Sequence, residues 1–252
     1  MRKTGPFLLG LTLLGATGLG CAGVGFLQPT PTPTATPTST PAPTPTSTPA
    51  PTLPGTITTR TLADGSTEFI DPEIGYRLVL PAEWLVLELG AEDMEQALQE
   101  AAELNPQFAP LIGSFGTLAS QGMRLKALEL DPRALTVGYP TNVVLVSLDG
   151  MGLPLDYLLE GTALSIEGMF PGSELISYGL IDDLNGSTAG RIELRMPLTT
   201  AAGTSVTIRS TWILLQAGDR LIELTLQAED GLYAEDESRF ERIVQSMELL
   251  GE

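Results

Sequence analysis

Trp212-Ile213-Leu214-Leu215-Gln216-Ala217-Gly218-Asp219-Arg220-Leu221-Ile222-Glu223-Leu224-Thr225-Leu226 is the stretch that decides the fold. Two apolar runs flank Gly218-Asp219, a pair suited to the positive φ of a hairpin turn. The first run, taken from Thr204 to Gln216, alternates polar and apolar residues, which predicts a sheet with one face packed. The second extends from Arg220 to Ala228. Upstream, Glu174 to Asp182 and Ala189 to Arg195 are strand-like and are separated by a second turn signal, Asn185-Gly186. Downstream, Tyr233 to Leu249 places Phe240, Ile243, Val244 and Met247 on one helical stripe, with acids at its start.

Toward the amino terminus the same reading continues. Thr56 to Leu62 and Ile74 to Leu80 are strand-like; Pro81 stops the second, Trp84 lies just beyond, and Leu85 to Leu89 can continue the sheet. Ala91 to Leu104 reads as a helix with Met94, Leu98, Ala101 and Ala102 near one face, and Asn105-Pro106 breaks it and starts a second helix to Ser120. Met123 to Leu130 and Thr141 to Leu148 are strands, and Leu153-Pro154-Leu155-Asp156 opens a helix that runs to Phe170. Helices with apolar stripes beside amphipathic strands predict a sheet covered by helices. Trp84 and Trp212 are expected in that packing.

Gly75-Tyr76, Pro81 and Trp84 resemble the opening of the Mog1/PsbP-like superfamily, the PsbP/DcrB type of which includes bacterial lipoprotein domains. The hairpin around Gly218-Asp219, the helix with Phe240-Glu241-Arg242-Ile243-Val244-Gln245-Ser246-Met247, and the turn Asn185-Gly186-Ser187-Thr188-Ala189-Gly190-Arg191 are similar to that family's closing and central segments. The resemblance implies an α+β fold, a three-layer α/β/α sandwich around a largely antiparallel sheet. It implies little about activity, because one fold hosts unrelated functions.

The start of the chain carries a different kind of information. Arg2 and Lys3 precede a 13-residue apolar segment, Phe7 to Leu19, the pattern of an export signal. Gly18-Leu19-Gly20-Cys21 resembles the lipobox of bacterial lipoproteins, which implies cleavage after residue 20 and lipidation of Cys21. Two other readings stay open. Phe7 to Leu27 is uncharged over 21 residues, close to the length needed to cross a bilayer, although its six glycines weaken a helix. A plain cleaved signal with an incidental cysteine is the third. Pro29 to Pro54 is nearly all Pro, Thr, Ser and Ala; it can build no core and would extend to about 80 Å as polyproline II. The expected organisation is therefore a signal peptide at 1–20, an anchored disordered linker at 21–55, and one globular domain at 56–252, facing outward from the membrane.

Composition narrows function by exclusion. The formal charge is −18, and losing Arg2 and Lys3 with the signal makes it −20. Lys126 is the only lysine after Lys3. Such a chain lacks the cations that nucleic acid or anionic lipid would need. It has no histidine and only one cysteine, which removes histidine-based triads, imidazole or multi-thiolate metal sites and any internal disulfide. Asp182-Asp183 with Asn185 is the best oxygen-ligand cluster, but it lacks the spacing of a calcium loop and reads as solvated turn acids. Glu235-Asp236-Glu237 suits the positive end of a helix dipole. No paired-carboxylate, nucleophile or phosphate-loop pattern stands out.

The expectation is a non-enzymatic, envelope-associated domain without cofactor or metal. It is monomeric, attached to the membrane through Cys21, and binds a protein partner. One alternative is a carrier of a small apolar ligand, with Met94 to Phe115 as a movable cover. A carboxylate-based enzyme is the other.

Overall fold

The computed structural model describes residues 56–82, 84–88, 96, 99, 100, 103, 104, 122–199 and 203–250. Its elements in chain order are β1 (Thr58–Thr61), β2 (Thr67–Asp71), β3 (Tyr76–Leu80), β4 (Trp84–Glu88), β5 (Met123–Glu129), α1 (Pro132–Val137), β6 (Asn142–Asp149), α2 (Leu155–Met169), β7 (Glu174–Leu184), β8 (Ser187–Thr199), β9 (Ser205–Ala217), β10 (Arg220–Glu229), α3 (Asp230–Ser246) and β11 (Glu248–Leu249). The expected signal, Cys21, the Pro/Thr linker and the helix from Pro106 to Ser120 lie outside the described residues. Of the helix expected at Ala91 to Leu104, residues Gln96, Gln99, Glu100, Glu103 and Leu104 are described, and all are helical.

Turn chemistry sets the sheet. Asn185 and Gly186 have φ of +51° and +86°, the paired positive values of a two-residue turn whose twist matches its flanking strands. They join β7 to β8. A two-residue turn also joins β9 to β10, and there Gly218, at φ +58°, takes the positive value without Asp219. These hairpins belong to a seven-stranded sheet of order β4-β5-β6-β10-β9-β8-β7, every neighbouring pair of which is antiparallel. A second antiparallel sheet has the order β1-β2-β3-β11.

The fold is α+β, with helices on both sides of a largely antiparallel sheet. One helical layer is α2, which packs on β7, β8 and β9. The other combines α3 with the four-stranded sheet: Phe240, Ile243 and Val244 share one core with Tyr76 and Leu78 of β3 and with Ile213, Leu215 and Leu224. Asp71 ties this layer to the large sheet. Its carboxylate is fully buried and accepts bonds from Arg124 Nε at 2.7 Å and Nη2 at 3.2 Å, and from the Glu73 amide at 3.1 Å.

Local details differ from the sequence reading. β9 is packed on both faces in its second half, not one: Trp212 and Leu214 join α2, while Ile213 and Leu215 join α3. β2 is not among the strands expected, because it is specified by pairing with β3 more than by its own composition. The last helix stops at Ser246, and Met247 turns to extended backbone at ψ 130°, so that Glu248 and Leu249 add to β3.

Gly122 shows how closely the strands are set. It has φ +83°, and a Cβ there would lie 2.8 Å from the Ser147 carbonyl oxygen. Gly186 has a similar φ with open space around it. Gly122→Ala is expected to cost about 2–3 kcal/mol by combining backbone strain with a collision, and Gly186→Ala only about 1. Urea denaturation of both variants measures the difference; equal losses would contradict the contact at Ser147.

Candidate functional site

The residues singled out from the sequence have structural employment where they are described. Asp183 Oδ1 accepts the Gly186 amide at 2.7 Å, closing the β7–β8 turn. The Asn185 side chain donates to the Gln245 and Met247 carbonyls at 2.7 and 2.5 Å and caps the end of α3. Asp182 is exposed. Among the described residues no three metal-ligating side chains converge. Glu235 pairs with Arg133 at 2.7 Å, and Asp236 is buried, accepting from Thr141 Oγ1 at 2.8 Å and Arg239 at 3.0 Å. Trp84 and Trp212 are both in cores, with Trp212 Nε1 donating to Ser210 Oγ at 2.8 Å and Phe170 edge-on at 6.1 Å. Cys21 lies outside the described residues.

Two features were not singled out from the sequence. The first is a polar stripe inside the fold. Residues directly opposite in an antiparallel ladder share a face, so one row across the sheet runs Lys126, Val144, Thr225, Trp212 and Ile192. The row beside it runs Leu128, Asn142, Gln227, Ser210 and Leu194. Glu223 lies one step the other way, opposite Val146 and Leu214. All of these polar side chains are buried. They pair among themselves: Lys126 Nζ donates to Asn142 Oδ1 at 2.5 Å, and Thr225 Oγ1 to Glu223 Oε1 at 3.0 Å. Tyr139 OH donates to Gln227 Oε1 at 2.7 Å, and Gln227 Nε2 to Ser210 Oγ at 3.3 Å. Burial pushes Lys126 down to about 7, Tyr139 up to about 12, and Glu223 up to about 7, the Thr225 bond opposing the last shift. The arrangement puts two groups that change charge near neutrality on one dry face.

The second feature is the outer strand β7. It is exposed along almost its whole length, although Leu175, Ile176, Tyr178 and Leu180 give it an apolar sequence. Tyr178 and Leu180 retain 48% and 49% of their accessible surface. Their ladder partners Ile192 and Gly190 put them on the α2 side of the sheet. On that side α2 turns a second apolar stripe outward: Tyr157 is 60% exposed and Leu164 75%, with Gly161 and Gly168 at helical spacing between and beyond them. A Cβ at either glycine would touch nothing within 4 Å. Each glycine costs the helix about 1 kcal/mol relative to alanine, with no packing among the described residues to explain it.

No family model matches the chain, and no curated protein matches it. Among solved structures it is similar to cyanobacterial PsbP from Synechocystis, with 12% identity, a TM-score of 0.46, and 75% of this chain and 94% of that one covered. It is also similar to LpqN of Mycobacterium tuberculosis, described as involved in cell envelope biogenesis, at 12% identity and TM-score 0.44, covering 77% and 91%. A third is the Saccharomyces cerevisiae Ran-binding protein Mog1p, at 8% identity and TM-score 0.42, covering 75% and 97%.

The stripe predicts a pH signature. Between its ordinary value near 4.5 and about 7, Glu223 keeps its proton in the folded state and loses it in the unfolded one. Stability therefore falls as pH rises through that window. Lys126 acts in the next window, from about 7 to its ordinary 10.5, where the folded state holds fewer protons and stability rises with pH. Glu223→Gln is expected to match the parent chain at about pH 5 and to exceed it by on the order of 1–3 kcal/mol at about pH 8. Urea midpoints across that range test this, and parallel curves would contradict it.

Proposed function

We propose that this protein is a non-enzymatic binding domain held on the outer side of a bacterial membrane, and that it docks a protein partner of the cell envelope. Lipidated Cys21 supplies the attachment and Pro29 to Pro54 the reach. The observation that carries the docking role is β7, an outer strand with four large apolar residues turned partly to water, beside an α2 whose outer stripe is apolar as well. Exposed apolar surface rimmed by charge is what protein interaction sites present. Asp156, Glu160, Glu167, Glu174, Asp182 and Asp183 supply that rim. Chemistry has less to stand on: the chain has no histidine, and its buried Lys126 and Glu223 are engaged by Asn142 and Thr225.

Two experiments test the reading. A photo-crosslinking amino acid at Leu164 or Tyr178, in the native cell, is expected to give a discrete protein adduct that is absent when it replaces the exposed Thr207 on β9. Absence of adducts at both positions, or equal adducts at Thr207, would contradict docking through this surface. Cys21→Ser is expected to abolish lipid labelling and release the domain from the detergent phase. Retention in detergent would replace lipidation with an uncleaved anchor.

A further inference from the structure

We propose that β7 takes up an extended segment of the partner as an added strand of the seven-stranded sheet, and that this segment is apolar at alternate positions and flanked by lysine or arginine. This rests on the reading of β7 as a docking surface and names the chemistry that would fit it.

Outer strands expose unpaired amide and carbonyl groups, and proteins usually blunt them with Lys, Pro, short length or bulges. β7 has 11 residues and neither Lys, Arg nor Pro. It does have two irregularities, between Leu175 and Ser177 and between Ile181 and Leu184. They bracket a regular window, Ser177 to Ile181, paired in step with Glu193 to Ala189. Among the described residues no backbone bond reaches its outer side. The bulges thus protect the ends of the strand and leave a flat centre open.

Side-chain character within the window sets what fits. Tyr178 and Leu180 lie on the α2 side, so the incoming strand would place apolar residues there and cover them. On the opposite face Ser177 and Gly179 leave room, and a Cβ at Gly179 would meet nothing within 4 Å. The cations of that face nearest the window are already held, Arg191 by Glu193 at 2.9 Å and Glu241 at 2.7 Å, and Arg209 by Glu193 at 3.2 Å. The ends of β7 are acidic. Glu174 shares Arg195, at 3.5 Å, with the nearer Asp230 at 2.9 Å. Among the described residues no cation pairs with Asp182 or Asp183.

The same charges decide between a second copy and a different partner. Set antiparallel, a second β7 brings its Glu174 to Asp182-Asp183 of the first; set parallel, it puts like on like. Opposed like charges destabilise a strand pair, and the whole chain stands at −18. A segment with basic flanks satisfies both ends.

The probe is a synthetic peptide of alternating valine and threonine between paired lysines, blocked at both ends, titrated by fluorescence anisotropy into the purified full chain. Saturable binding is expected. Asp182→Lys should weaken it roughly tenfold by reversing the charge at one end while the Asp183–Gly186 turn bond stays in place. Tyr178→Lys with Leu180→Lys should abolish it, while circular dichroism shows the fold intact because all three positions are exposed. No saturable binding, binding indifferent to both variants, or equal binding of a glutamate-flanked peptide would overturn the proposal. So would β7-dependent dimerisation by ultracentrifugation, which assigns the edge to a second copy. If a partner crosslinks at Tyr178 but the peptide fails, docking stands and strand addition falls.

Discussion

The structure depends on one constraint: a single antiparallel sheet has to be kept dry on both faces. Antiparallel sheets commonly leave one face to water, but the central strands here cannot. Trp212 and Leu214 of β9 pack under α2, while Ile213 and Leu215 of the same strand pack under α3 and the smaller sheet. Once both faces are closed, any polar residue on them loses water and must find a partner within the fold. Lys126 with Asn142, Glu223 with Thr225, and Tyr139 with Gln227 and Ser210 are that consequence. On the α3 side the same demand is met by ion pairs at the helix margin, where Arg191 reaches Glu241 and Arg195 reaches Asp230.

Covering two faces still leaves a sheet its edges. Helix α2 lies over β7, β8 and β9, yet the outermost strand stays half in water while its neighbour β8 is buried at Ile192 and Leu194. The apolar side chains of β7 are thus set against a surface that the described residues do not complete. The outer stripe of α2, with two glycines that no contact among the described residues requires, points to the same incompleteness from a second element.

How much of this the sequence disclosed depended on how local the cause was. The turns at Asn185-Gly186 and Gly218-Asp219 were legible because the positive φ that Asn185, Gly186 and Gly218 adopt is a property of those residues alone. The strands beside them and the stripe of Phe240, Ile243 and Val244 followed from periodicity. β11 was hidden, since its identity lies in pairing with β3 across a long sequence separation; β2 forms a local hairpin with β3, but its five residues, two of them acidic, carry little strand pattern of their own. The two functional features inverted the usual pattern. In β10, Glu223, Thr225 and Gln227 alternate with leucine and read as a water-facing side, but they are buried. In β7, Leu175, Ile176, Tyr178, Leu180 and Ile181 read as a strand hidden on both sides, but most of it is exposed. Alternation reports which side chains share a face; what covers that face is decided elsewhere. The mismatch itself was the signal, and it became visible only with the register.

That inversion makes the state of β7 in the envelope the quantity to measure. Amide hydrogen exchange of the full chain should be followed in native membranes and again after purification in detergent. If β7 is a docking edge, the amides of Ser177 to Ile181 exchange markedly more slowly in the membrane than in the purified protein, while those of β10 remain equally protected in both. Equal exchange of Ser177 to Ile181 in the two preparations would contradict the account.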